Sequence, residues 1–220
     1  MSTATSPSYE KSPAREYFES IVIAVILALF VRTFVVQAFK IPSGSMEDNL
    51  LIGDHLLVNK FIFGGAPTAA ERAVLPVRDI HRGDVIVFKF PKEPDRDFIK
   101  RVIGLPGETV ELRRKSVYVN GQPIDEAPYH LKLKYPAPPE GAPQQNMVDS
   151  FGPVTVPPGH LFVMGDNRDD SADSRYWHFL PIDYVKGRAM TIYFSYDPDA
   201  TGPFSVVTSI RWRRLFRQVH

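Results

Sequence analysis

The sequence predicts a mostly antiparallel β protein carried behind a single N-terminal apolar helix. Three observations point there. Residues 21–39 (IVIAVILALFVRTFVVQAF) are an almost uncharged apolar run. After that run, short apolar alternations recur, broken by the chain's 14 Gly and 20 Pro, which is the pattern of short strands joined by turns. Asn120 and Gly121 sit between VYV and Ile124, a pairing suited to a tight hairpin.

The elements follow in chain order. Residues 1–13 are rich in Ser, Thr and Pro, too polar to repay the entropy of ordering, so residues 1–19 are assigned to a disordered tail. Residues 20–39 are assigned to a membrane-spanning helix: the apolar run would be about 28 Å long as a helix, close to the thickness of a hydrocarbon core. Its one charge, Arg32, lies near the end and is able to snorkel. A cleaved secretory leader fits less well, because the preceding region is long and carries Glu10, Glu16 and Glu19. Flanking charge leaves the orientation open, with Lys11 and Arg15 before the run and Lys40 and Lys60 after it.

Beyond the helix, residues 40–220 read as one β domain. Strands are predicted at residues 56–61, 84–90, 98–103, 109–113, 116–120, 161–164 and 187–196. Residues 63–82 and 127–145 are predicted loops; the second holds Pro136, Pro138, Pro139 and Pro143, which prevent regular pairing. Residues at about 113–159 form a small accessory hairpin, or β-ribbon, with its Pro-rich loop. The 26 basic and 25 acidic residues are mixed along the chain, so no charge field selects nucleic acid as a partner. No cysteine is present, which excludes disulfides, thiolate metal sites and a Cys nucleophile.

Three segments hold the residue types that chemistry needs. Ile41-Pro42-Ser43-Gly44-Ser45-Met46 places small residues around a serine, so a substrate carbonyl could approach its hydroxyl; alone, such a run is more often an ordinary turn. Lys100 lies within the apolar strand Phe98-Ile99-Lys100-Arg101-Val102. Desolvation there would favour the neutral amine and make a base, although strand lysines usually turn out to water. Gly165-Asp166-Asn167-Arg168-Asp169-Asp170-Ser171-Ala172-Asp173-Ser174-Arg175 is dense in acid. Arg168 falls where a calcium loop needs a ligand, so a stiffened loop with an Asp173–Arg175 salt bridge is the better reading. The six histidines have no metal spacing, and no metal or cofactor is expected.

In their order and separation these three segments resemble the bacterial type I signal peptidases, whose signatures are a serine motif after the last membrane helix, a lysine strand and a late GDNRxxSxDSR motif. The resemblance implies a catalytic β domain of signal-peptidase type that removes signal peptides from exported preproteins. Ser45 would be the nucleophile and Lys100 the general base. Ser43 would donate to the oxyanion beside the Ser45 amide, and Ser171 would orient Lys100 by a hydrogen bond. Ile41, Met46, Leu50, Phe98 and Ile99 would line pockets for small side chains at the first and third residues before the cut. It further implies a single-pass protein of the bacterial inner membrane with the domain on the exported side. Its partners would be preproteins and the lipid bilayer, with association with the secretion machinery open. The chain departs from the family in having Glu47-Asp48-Asn49-Leu50 where Pro-Thr-Leu is common. Two rivals are a soluble self-cleaving serine/lysine peptidase and a single-pass binding module whose acidic loop is purely structural.

Overall fold

A computed structural model describes residues 12–30, 36–60, 62–63, 77–139, 146–202 and 205–219. The tail at 1–11, Arg32 with the rest of 31–35, and parts of the two long loops, at 64–76 and 140–145, lie outside the described residues. The chain opens with helix α1 (Pro13–Phe30), which has no buried residue. Strand β1 (Val36–Lys40) then pairs antiparallel with β2 (Asp54–Asn59), Val36 opposite Asn59 and Lys40 opposite His55.

The assignments of residues 1–19 to a disordered tail and of residues 20–39 to one helix are thereby corrected: residues 13–19 already belong to α1, and residues 36–39 are strand. VQAF continues the apolar run in composition, but β2 offers these residues a hydrogen-bonded edge, and a short apolar stretch takes whichever partner the tertiary structure supplies. No helix among the described residues is long and apolar enough to cross a membrane. The ten apolar residues 21–30 cover about 15 Å, half a bilayer core.

The main sheet has seven strands in the order β1-β2-β11-β3-β4-β9-β10, every pair antiparallel. Its further members are β3 (Val85–Phe90), β4 (Glu93–Gly104), β9 (His160–Met164), β10 (Leu180–Pro181) and β11 (Val185–Ser195). β3 shows why the sheet is covered on both faces. Val85 and Val87 pack with Leu56, Val58 and Ile192, whereas Ile86 and Phe88 pack with Leu161, Val163 and Trp177. A strand buried on both sides reads as a continuous apolar run, as VIVF does.

The accessory unit is a four-stranded sheet rather than a hairpin, in the order β7-β6-β5-β8, built from β5 (Thr109–Arg113), β6 (Ser116–Val119), β7 (Gln122–Pro123) and β8 (Phe151–Thr155). The Asn120-Gly121 turn joins β6 and β7 with φ of 51° and 79°, the left-handed pair that a tight hairpin requires. β8 was not foreseen, because Gly152 and Pro153 break its pattern. Val110, Leu112, Val117 and Val119 pack against Phe162 and Met164 of β9, so the two sheets share a core. The apolar side chains of β9 alternate between that core and the core behind β3.

Candidate active site

Ser45 lies in a 3₁₀ turn, Gly44–Met46, that begins four residues after β1. Met46 is fully buried in the core beneath that turn, so the turn is nailed down from below. Ser43 precedes it in extended conformation and is exposed. The neighbouring strand segment supplies the base. The Lys100 amine is 2.6 Å from Ser45 Oγ and donates a second hydrogen bond, 3.0 Å, to the Ile99 carbonyl. Ser45 is 9% and Lys100 3% exposed.

Burial pushes the Lys100 ammonium down from 10.5 to about 8, even though Asp173 and Asp166 pull the other way and Arg175 adds to the fall. A cation removed from water without a carboxylate in direct contact loses more hydration than it regains. Once neutral, the amine accepts from the Ser45 hydroxyl over the same distance, and the pair can deprotonate the serine.

The acidic motif is the frame that holds this pair. Asn167 donates its amide N–H to the Ser45 carbonyl at 3.1 Å and its side-chain amide to the Gly44 carbonyl at 3.0 Å. Asp166 N–H reaches the Met46 sulfur at 3.4 Å. Gly165 has no room for a side chain: a Cβ there would lie 2.2 Å from Ser171 Oγ and 2.4 Å from the Ser45 carbonyl. The loop is in turn held by buried charge pairs. Arg101 grips Asp166 with two 2.7 Å bonds, both residues fully buried. Arg175 grips Asp173, also fully buried, at 2.8 and 2.9 Å, and Asp173 caps the one-turn helix α2 (Ser174–Trp177) by accepting from Arg175 N–H. Burial alone would raise the Asp173 carboxyl, but the Arg175 guanidinium holds it below the usual range. The Asp173–Arg175 pair is where it was expected.

An open cleft of roughly 620 Å³ exposes the dyad. Its walls include Ser43, Phe98 and Ile99, with Asp170 and Ala172 opposite, and no histidine among the described residues lines it. Ile41, Met46 and Leu50, expected to line substrate pockets, pack in the core with Leu56, Val58 and Val85, a cluster that Ile99 connects to the cleft. The turn needs that apolar footing, and its side chains point into it. Ser171 lies in the right loop and is buried, but no hydrogen bond joins it to Lys100, whose amine is taken up by Ser45 Oγ and the Ile99 carbonyl. The substituted stretch after the nucleophile is tied down by bonds of its own: Glu47 pairs with Lys132 at 3.1 Å, and the Asn49 amide bonds Asp166 at 2.7 Å.

Sequence reasoning missed Gly165, Asn167 and the Arg101–Asp166 pair. Arg101 follows the base directly and Asp166 heads the motif, but their union depends on β4 lying beside β9, Arg101 opposite Met164.

A serine nucleophile bonded to a buried lysine, held by an acidic loop on an antiparallel β scaffold, defines a serine hydrolase of the Ser/Lys type. The family model described as "Signal peptidase, peptidase S26" matches residues 14–194, and the chain belongs to this family of serine endopeptidases. It is similar to "Signal peptidase I" of Pseudomonas aeruginosa, 37% identical over 84% of this chain and 73% of that protein, and to "Signal peptidase I" of Aquifex aeolicus, 30% identical over 91% and 94%. A solved signal peptidase I from Enterococcus faecalis aligns with 50% of this chain and 97% of that chain, at a TM-score of 0.39 and 33% identity.

Proposed function

We propose that this chain removes signal peptides from exported preproteins, cutting after small residues at the first and third positions before the scissile bond. The observation that carries the reading is the 2.6 Å contact between Lys100 and Ser45 in a family of peptidases. Neutral Lys100 takes the Ser45 proton as Oγ attacks the scissile carbonyl. The tetrahedral intermediate collapses as the Lys100 ammonium returns the proton to the leaving amine. Lys100 then takes a proton from water, which attacks the ester, and returns it to Ser45 Oγ as the acyl carbon–oxygen bond breaks. Ser43, exposed on the cleft wall beside the nucleophile, is the side-chain donor for the oxyanion together with the Ser45 amide. A donor of this kind is worth about 3 kcal/mol or more. Ser171 supports the amine through the loop it shares with Gly165.

Substrate would bind as an extended segment. Along residues 93–100, β4 pairs with β3, while its pairing with β9 starts only at Arg101. The cleft-side edge between Arg96 and Ile99 is thus free to add a strand, with main-chain bonds giving affinity and Phe98 and Ile99 shaping the side-chain sites. α1 supports membrane attachment: Ile21, Ile23, Ile26 and Leu27 are all exposed, apolar surface that lipid would cover. In this reading the chain is a single-pass protein of the bacterial cytoplasmic membrane. Its tail is cytoplasmic, and the β domain, which includes β1 from Val36 onward, faces the exported side, where preproteins emerge.

Cleavage of a preprotein in detergent by wild type, Ser45→Ala and Lys100→Arg tests the dyad. Both variants should lose activity while staying folded, because arginine keeps the charge and cannot deprotonate. Retained cleavage by either folded variant would overturn the assignment.

A further inference from the structure

The accessory sheet meets the catalytic loop through a charge pair that the proposed chemistry does not use. The turn between β5 and β6 consists of Arg114 and Lys115, with φ of 50° and 68°. The next turn of the same sheet gives this left-handed pair of positions to Asn120 and Gly121, the residues such turns favour. An arginine and a lysine are strained there and persist only where surrounding contacts hold them. Lys115 has such contacts. Its side chain is 5% exposed, and its amine lies 2.5 Å from Asp169 Oδ1 and 3.0 Å from the Tyr135 carbonyl.

Asp169, 4% exposed, is equally committed, since Oδ2 accepts the Lys134 and Tyr135 amides at 2.6 and 3.0 Å. Burial would raise its carboxyl, yet Lys115 and these amides hold it low. Two residues before Asp169, Asn167 grips Ser45; one residue after it, Asp170 lines the cleft. The loop is thus clamped from two sides, by the nucleophile turn on one and by Lys115 on the other. Arg168 bonds Glu126 on that second side as well.

We propose that Lys115 is a positioning residue: through Asp169 the accessory sheet sets the distance between the catalytic loop and the Ser45–Lys100 pair. The inference rests on the peptidase reading above. Releasing Asp169 would let the loop withdraw from Ser45 and admit water to Lys100. The groups facing that amine are Ser45, the carboxylates of Asp166 and Asp173, the Arg175 guanidinium, and the Phe98 ring, 5.3 Å away. Desolvation dominates among them, so hydration raises the pH at which Lys100 becomes neutral.

The test uses the full-length protein in detergent with one preprotein, comparing wild type, Lys115→Met and Asp169→Asn, each assayed well below its melting temperature. The second variant keeps the shape of Asp169 and one acceptor oxygen for the Lys134 and Tyr135 amides while losing the acceptor for Lys115, and carries the test if Lys115→Met fails to fold. Expected is a loss in kcat of about tenfold or more with KM within about twofold, together with an acid limb displaced upward by about half a unit or more. A variant that melts earlier but keeps wild-type kcat and limb, or whose loss falls on KM, overturns the proposal. Ser45→Ala in the same assay separates the two readings: if it cleaves like wild type, the peptidase assignment itself fails, whatever Lys115 does.

Discussion

Single residues decide whether the serine can lose its proton. With Lys100 near pKa 8, about a tenth of the molecules hold a neutral amine at pH 7, hundreds of times more than for a solvated lysine. The sign is direct: activity requires the deprotonated form, so kcat should rise with pH through about 8 and level off above it. A pH profile flat from 5 to 9 would remove Lys100 from the base position. Gly165 is the second sensitive point. Gly165→Ala places a Cβ inside contact distance of Ser171 Oγ and the Ser45 carbonyl, and one of the two must move. The expected result is a fall in kcat of about a hundredfold with a lowered melting temperature, read from steady-state kinetics and thermal unfolding. Ser45 and Lys100 were legible as candidates from residue types in order. The steric role of Gly165 was not, because it depends on two segments meeting over its Cα.

Among the elements, the acidic loop matters more than either strand beside it. Removing Arg175 would leave the Asp173 carboxylate buried without its partner. Breaking such a pair costs about 3 to 5 kcal/mol, so Arg175→Met should melt many degrees lower by calorimetry, and so should Asp173→Asn, which leaves the buried Arg175 guanidinium without its carboxylate. Asn167→Ala removes the tie to the Gly44 carbonyl but keeps the backbone tie to Ser45. It should lower kcat with little change in stability, and a large stability loss with normal kcat would contradict that. The loop and its internal salt bridge were readable, because both partners lie two positions apart in one motif. Its docking onto the serine turn was not, since those bonds join residues more than a hundred positions apart.

On the scale of the whole molecule, the β domain begins earlier than apolar composition suggests. A chain starting at residue 31 keeps β1, whereas one starting at residue 41 strips the edge of β2. The first should fold and cleave soluble peptides while losing its advantage on membrane-bound preproteins, where a shared bilayer raises the effective concentration. The second should be less stable and aggregate, because β2 would then present an open edge. Denaturant titration and vesicle-based cleavage read these two outcomes separately.

Composition and period were enough for an antiparallel β domain and for seven strands of the main and accessory sheets near their observed positions, and the serine, lysine and acidic motifs were readable through the order in which the family carries them. Those features are local: alternation, turn residues and motif spacing are written in neighbouring positions. Only the tertiary structure decided that residues 36–39 are a strand, that Ile41, Met46 and Leu50 support the turn from the core, and that Lys115 reaches the catalytic loop. Each depends on which distant surface the chain meets, and an apolar or charged side chain accepts any partner that removes it from water or neutralises it.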